Sequence, residues 1–298
     1  MARISMPKFL KLGEDVWDPS HRFETSWLMS PWKLFACRAA LSLYAFTTLF
    51  FNIGWKVAIH DDAAARLSFS YFTIITYWGL AFYFLFASIH TFSYALNSGM
   101  PLLNRWPRFL QALHYLFYST ITTYPLLVTI VFWCVLADDT TFGTTYSSWS
   151  NVSQHALNSA FALFEIVFTR VNPGPWIHLL WCIVLLVCYL GVAYITHDTE
   201  GVYVYSFLND QPKLLNAAGE NIGGIGVWAA AYICGIAIGI VVLFCVSKGL
   251  IHLRKWATET KGGIQGKLNE GRALGSEEMD LQEPREWQKT GEVSTTEA

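Results

Sequence analysis

Six stretches of this 298-residue chain stay apolar for about the length of a bilayer crossing, with polar segments between them. A helix needs roughly 20 apolar residues to cross the hydrocarbon core, and nothing inside that core satisfies an open backbone. The expected fold is therefore an all-α, six-transmembrane-helix integral membrane protein. The spans are expected at about 34–57, 69–96, 111–137, 149–169, 176–196 and 225–248, with a kink at Pro125 in the third and a turn at NPGP, 172–175. Charged residues are 14% of the chain, well under the roughly 25% of soluble domains, which removes a soluble two-domain reading.

Outside the spans the composition changes. Residues 1–32 are expected to lie at the membrane surface, with Trp17, Trp27 and Trp32 at the interface. Residues 33–250 form the membrane domain. In 257–298 large apolar residues thin out, so a disordered tail is expected. No basic region followed by a short apolar stretch opens the chain, and the first span is expected to act as its own insertion signal. All six cysteines fall inside apolar runs, where a thiol behaves as a small hydrophobe. No Cys/His spacing fits zinc, and neither a metal nor a cofactor is expected.

Lys and Arg near the span ends set the orientation. Arg22, Lys33, Arg105, Arg108, Arg170, Lys248, Arg254, Lys255 and Lys261 fall on one side; Lys56, Arg66 and Lys213 fall on the other. The positive-inside rule then places both termini in the cytoplasm, in an endomembrane such as the endoplasmic reticulum or in the plasma membrane. On that topology Thr73, His155 and His197 share the lumenal side. His90 and His114 lie on the cytoplasmic side.

The stretch from Trp149 to Arg170 is a span that carries a histidine and a glutamate. An ionisable group inside a membrane is costly and is by default a functional hypothesis. His155 is the expected base; Thr73, on a polar turn with Thr76 and Tyr77, is the hydroxyl it could activate. Glu165 lies ten residues on, ~15 Å deeper and about 80° around an ideal helix, which separates it from His155. A structural hydrogen bond in the protonated form is expected of it. Asp198 and Glu200 lie at the depth needed to orient His155 or His197. Asn151 opens an N-V-S acceptor sequence too close to the membrane for glycosylation, and its amide is expected to line the site.

Three blocks resemble the androgen-induced, androgen-dependent-protein family of integral membrane hydrolases, in a fungal-type form. SYFTIITYWGL at 70–80 resembles the family's aromatic-x-Thr block. Asn151 and His155 with Glu165 resemble its N-x-x-x-H and downstream glutamate, and HDTEGVYVYSFLN at 197–209 is similar to its third block. The resemblance covers roughly residues 35–250 and departs at Ala156, Ala160, Tyr203 and Ser206. It implies hydrolysis of fatty acid esters of hydroxy fatty acids, with Thr73 as nucleophile and His155 as the catalytic histidine. The six-span pattern is also similar to rolling-stone-like membrane proteins, which have no established chemistry.

The expected function is thus an intramembrane lipid-ester hydrolase. His197 or Asn151 would stabilise the oxyanion, and Thr76, Tyr77, Trp78 and Tyr83 would line the substrate groove. Its partners would be a lipid ester and membrane lipids, with no nucleic acid; nothing in the sequence sets the oligomeric state. Two alternatives stay open. The substituted block positions fit a non-catalytic scaffold or lipid binder. The pairs His90–His114 and His155–His197 could ligate two haems in an electron-transfer protein.

Overall fold

A computed structural model describes residues 17–97, 101–209 and 226–264, with side chains in the last helix from Ala229 onward. The regular structure of the described residues is helical, and they contain no strand beyond one isolated bridge between Ser26 and Thr169. In chain order the helices are α1 (Pro31–Ala58), α2 (Asp62–Leu67), α3 (Phe72–Leu96), α4 (Leu102–Arg105), α5 (Arg108–Val131), α6 (Thr145–Val152), α7 (Asn158–Phe168), α8 (Ile177–Glu200) and α9 (Gly226–Lys255). Wide π-turns extend α5 over Phe132–Leu136 and α9 over Trp256–Lys261. A third, Ser153–Leu157, joins α6 to α7.

Five of these are long and apolar enough to cross a membrane: Pro31–Ala58, Phe72–Leu96, Arg108–Leu136, Ile177–Glu200 and Ala229–Lys261. The α6–α7 rod, where a fourth span was expected, is too polar to join them by composition.

Local signals account for several helix ends. Ser30 accepts from the Lys33 amide with Pro31 at the first helical position, the favoured start chemistry. Thr144 and Ser147 form a reciprocal capping box at α6. Gly201, at φ 72°, ends α8 in the left-handed conformation that glycine adopts without strain. Pro125 sits within a continuous α5; its carbonyl accepts from the Ser159 hydroxyl at 2.9 Å, which ties α5 to α7.

The largest core lies around α3. Tyr77, Leu80, Tyr83 and Phe84 pack with Ala45 and Leu49 of α1, Tyr118 and Ile121 of α5, and Phe161 and Ile166 of α7. A second core joins Tyr124 and Leu127 to Cys182 of α8 and to Ile240 and Phe244 of α9. Large apolar side chains such as Leu43, Phe50, Leu180 and Ile238 face outward, as lipid contact requires.

Three expectations about the flanks need correction. The described part of the N-terminal segment, residues 17–30, is a plug tucked into one end of the bundle rather than a surface segment. Phe23 and Glu24 are buried, and Trp17 stacks on Phe23 at 4.8 Å. Helix C-termini leave carbonyls without partners, and the plug supplies them at α7: Trp27 Nε1 donates to Val167 O at 2.6 Å and Ser26 Oγ donates to Phe168 O. At the other end, helical structure runs to Lys261, inside the stretch expected to be disordered, because Thr258 is buried and Glu259 pairs with Arg22 and Arg254. Residues 265–298 lie outside the described residues. Finally, α8 continues to Glu200, past the expected span end at 196, so Asp198 and Glu200 belong to its last turn.

Candidate functional site

Thr73 stands on the first turn of α3, 9% exposed. It helps line an apolar cavity of about 120 Å³, walled by Phe72, Leu127, Val131, Phe132, Ile183 and Tyr189 among others. Tyr205 lies against Thr73 from the segment after α8; burial raises its phenol above the ordinary range, and the contacts with Thr73 oppose that rise. Thr76 bonds back to the carbonyls of Phe72 and Thr73 at 2.8 and 3.1 Å.

His155 sits in the π-turn Ser153–Leu157, a rare widening of a helix that recurs at functional sites. Its ring stacks on Phe132 with centroids 3.5 Å apart and planes 3° from parallel. Trp133 Nε1 donates to the His155 carbonyl at 3.0 Å, and the Tyr44 and Ser153 hydroxyls share a hydrogen bond of 2.7 Å. The imidazole Nδ1 is buried and has no hydrogen-bond partner among the described residues. α3, the helix that carries Thr73, packs against this π-turn. Phe132 links them further, since it is both a wall of the Thr73 cavity and the ring under His155. Among the described residues, no hydrogen bond joins Thr73 to His155.

The supporting residues are placed differently from expectation. Asn151 Nδ2 donates to the Thr141 carbonyl at 3.0 Å and so fastens the loop before α6 instead of lining the cavity. His197 stacks on Tyr203 at 3.7 Å. Asp198 is exposed, and Glu200 faces Arg66 at 4.0 Å on the surface, so neither carboxylate orients an imidazole. None of the four groove candidates walls the Thr73 cavity. Thr76 lines a lateral groove between α3, α5 and α8, Trp78 joins Phe50 and Phe82 on the outer face, and Tyr77 and Tyr83 point into the core. The residues that sequence reasoning passed over are Phe132, Trp133 and Tyr205, whose roles depend on a π-turn and a returning segment.

A second polar centre lies at the opposite end, around Arg38. This arginine, seven residues into α1 after Pro31, is fully buried. It forms a two-pronged ion pair with Glu165, Nε to Oε2 at 3.2 Å and Nη2 to Oε1. Its Nη1 donates to the Phe23 carbonyl at 2.8 Å and to the Thr91 hydroxyl at 2.6 Å. Tyr83 donates to Glu165 Oε1 at 2.9 Å. Glu165 is thus the buried partner of an arginine, held by three donors where the sequence suggested a single hydrogen bond. The signal was an arginine inside a span, as exceptional there as the glutamate.

Glu24 of the plug lies near this centre with both carboxylate oxygens buried and no hydrogen-bond partner among the described residues. Burial pushes its carboxyl up to about 8; the Asp18 charge adds to the rise and Arg38 opposes it. His90 and His114 touch edge to face at 5.1 Å, with Trp106 against His90 at 4.4 Å. That contact leaves no gap for a porphyrin between them, and His155 and His197 each stack on their own aromatic ring. Among the described residues, no group of three or more His, Cys, Asp and Glu is placed to hold a metal ion. Searches of family models, curated proteins and solved structures find no match to this chain.

Proposed function

We propose that this chain is an intramembrane hydrolase of lipid esters, with Thr73 as nucleophile and His155 as general base. The observation that carries the proposal is the packing of α3 against the π-turn, which sets an imidazole with an unpartnered Nδ1 next to the helix whose threonine opens on an apolar cavity. The resemblance of three sequence blocks to the androgen-induced, androgen-dependent-protein hydrolases supports the same reading, fatty acid esters of hydroxy fatty acids being the implied substrate.

In this mechanism Thr73 Oγ bonds to the ester carbonyl carbon while His155 takes its proton. The proton then passes to the leaving alcohol as the ester C–O bond breaks, and water releases the acyl group by the same steps in reverse order. Phe132 holds the imidazole plane, and the apolar walls would receive an acyl chain.

The topology belongs to the same proposal. The α6–α7 rod counts as the sixth crossing: Tyr146 stacks on Trp55 at 5.0 Å near one end of α1, and Glu165 pairs with Arg38 near the other. Those α1 residues are about 25 Å apart at 1.5 Å per residue. Both termini then face the cytoplasm.

The test is hydrolysis of a long-chain ester of a hydroxy fatty acid by the purified protein in detergent, alongside fluorophosphonate labelling. Thr73→Ala and His155→Ala are expected to abolish turnover and labelling while the fold persists. Full activity in either folded variant overturns the assignment. The missing Thr73–His155 hydrogen bond favours a second reading, a non-catalytic lipid binder; saturable ester binding with no turnover and no adduct would identify it.

A further inference from the structure

At the plugged end of the bundle, three arginines from distant parts of the chain meet: Arg22 of the plug, Arg170 after α7 and Arg254 near the end of α9. Arg22 Nε donates to the Arg170 carbonyl at 2.7 Å, and Arg254 Nη2 donates to the Val171 carbonyl. Arg170 Nη1 reaches Thr25 Oγ1 at 3.3 Å. One carboxylate, Glu259, lies within ion-pair distance of this cluster among the described residues. It pairs with Arg22 and stands 3.7 Å from Arg254.

The cluster is short of acceptors. Arg170 and Arg254 are 5% and 7% exposed, yet Arg170 Nε and Arg254 Nε and Nη1 have no hydrogen-bond acceptor among the described residues. Burial and the like charge of Arg22 lower the basicity of Arg170, with Glu259 and Asp18 opposing. A buried donor left unsatisfied costs about 1–3 kcal/mol, more when charged, so three such donors aimed into one cluster need an accounting beyond packing. The geometry points to a phosphate site: we propose that Arg22, Arg170 and Arg254 bind the phosphomonoester headgroup of an anionic lipid at the bilayer surface, in competition with the Glu259 carboxylate.

The chemistry fits at each step. A phosphomonoester carries −1.5 to −2 charges and three strong acceptor oxygens, where a carboxylate offers one charge and two oxygens. Guanidinium forks match phosphate oxygens in pairs. Arg170 follows the last turn of α7, and Arg22 and Arg254 meet its segment at the plugged end of the bundle; basic pockets between membrane helices are known binders of such headgroups. Lys248 and Lys255 hold the adjoining 172–174 turn through the Gly174 carbonyl and Asn172 Oδ1, so the turn that follows Arg170 is tied to α9 beside Arg254. Glu259 sits on the last helical turn of the described chain and is partly exposed, so its carboxylate is the acceptor a phosphate would displace.

The experiment titrates the full chain in uncharged detergent with dioctanoyl phosphatidic acid, dioctanoyl phosphatidylcholine or sodium phosphate, and reads the dissociation constants. Phosphatidic acid is expected to bind at least about tenfold more tightly than phosphatidylcholine, a difference of about 1.4 kcal/mol. Arg170→Gln should remove most of that preference. Glu259→Gln should tighten binding severalfold, a gain that misfolding cannot mimic. Saturation by inorganic phosphate at equal affinity would assign the site to a free phosphate; binding of phosphatidic acid alone assigns it to the lipid. Equal affinities for the two lipids with no response to sodium phosphate, or no change in the Glu259→Gln and Arg170→Gln proteins, would overturn the proposal.

Discussion

The two polar centres of this bundle are buried to a similar degree and differ in how far their atoms are satisfied. Around Arg38 each guanidinium nitrogen has an acceptor, and Glu165 has three donors across its two oxygens. At His155 the imidazole rests on a phenyl face with Nδ1 unpartnered. Charges buried away from water are tolerated when paired and fully hydrogen-bonded, so the first centre is built to hold helices together. The His155 imidazole, stacked on a wall of the apolar cavity, lacks that network. Under the proposed hydrolase, that difference is what would separate a structural residue from a chemical one.

The sharpest way to break this comparison is at Arg38. Arg38→Met leaves Glu165 buried without its counter-charge and is expected to cost about 3–5 kcal/mol of stability, read as a large drop in melting temperature in detergent. Adding Glu165→Leu should recover most of the loss. A single variant as stable as the parent would show that the pair is not what fastens α1 to α7. His155→Gln should show the reverse pattern, with ester turnover down about 10²–10⁴-fold and stability within about 1 kcal/mol.

A pH series tests Glu24, whose raised carboxyl ties the plug to acidity. The folded form keeps its proton up to about 8, while the undocked segment loses it near the ordinary 4.5. Between those values the docked state binds more protons, so docking is strongest below 4.5 and weakens as pH rises to 8. Local release of residues 17–30 limits the loss to the docking free energy of that segment. Exchange protection there, corrected for the intrinsic base-catalysed rate, should fall with pH in the parent and stay flat in Glu24→Gln; identical corrected profiles would remove Glu24 from the account. The smallest effect is expected at Gly174, where an added Cβ would lie 2.6 Å from Ser119 Oγ and 2.9 Å from His178 Nδ1. Gly174→Ala should disturb the 2.7 Å Ser119–His178 hydrogen bond at a cost of about 1 kcal/mol; an unchanged melting temperature would show that the turn yields freely.

Hydropathy alone located the five long apolar helices, because span length and backbone satisfaction are local demands. It also singled out His155 and Glu165 as costly groups in one stretch. What escaped it was tertiary. The pairing of Arg38 with Glu165 joins residues 127 apart, and no spacing rule connects two helices. The angle between His155 and Glu165 follows from 3.6 residues per turn, whereas the Ser153–Leu157 π-turn overlaps the start of that interval and shifts the register. The i+3 and i+4 neighbours of Thr73 were assigned to the groove because one polar face was assumed. α3 is instead buried on several sides, so Tyr77 and Tyr83 serve the core. Residues 17–30 looked superficial because polar composition does not reveal a segment that docks by its backbone and by Phe23.

The Arg38–Glu165 pair also sets a condition on how the protein is made. The first span reaches the membrane carrying an arginine whose partner has not been synthesised. At 5–20 residues per second, that partner follows on the order of ten seconds later. During this interval the span bears a charge that costs about 2.5–3.5 kcal/mol when placed at the centre of a lone helix. Arg38 lies seven residues from the start of α1, so its real cost is smaller, but the pair can close only once α7 has been made, and the order of synthesis sets when this part of the core forms.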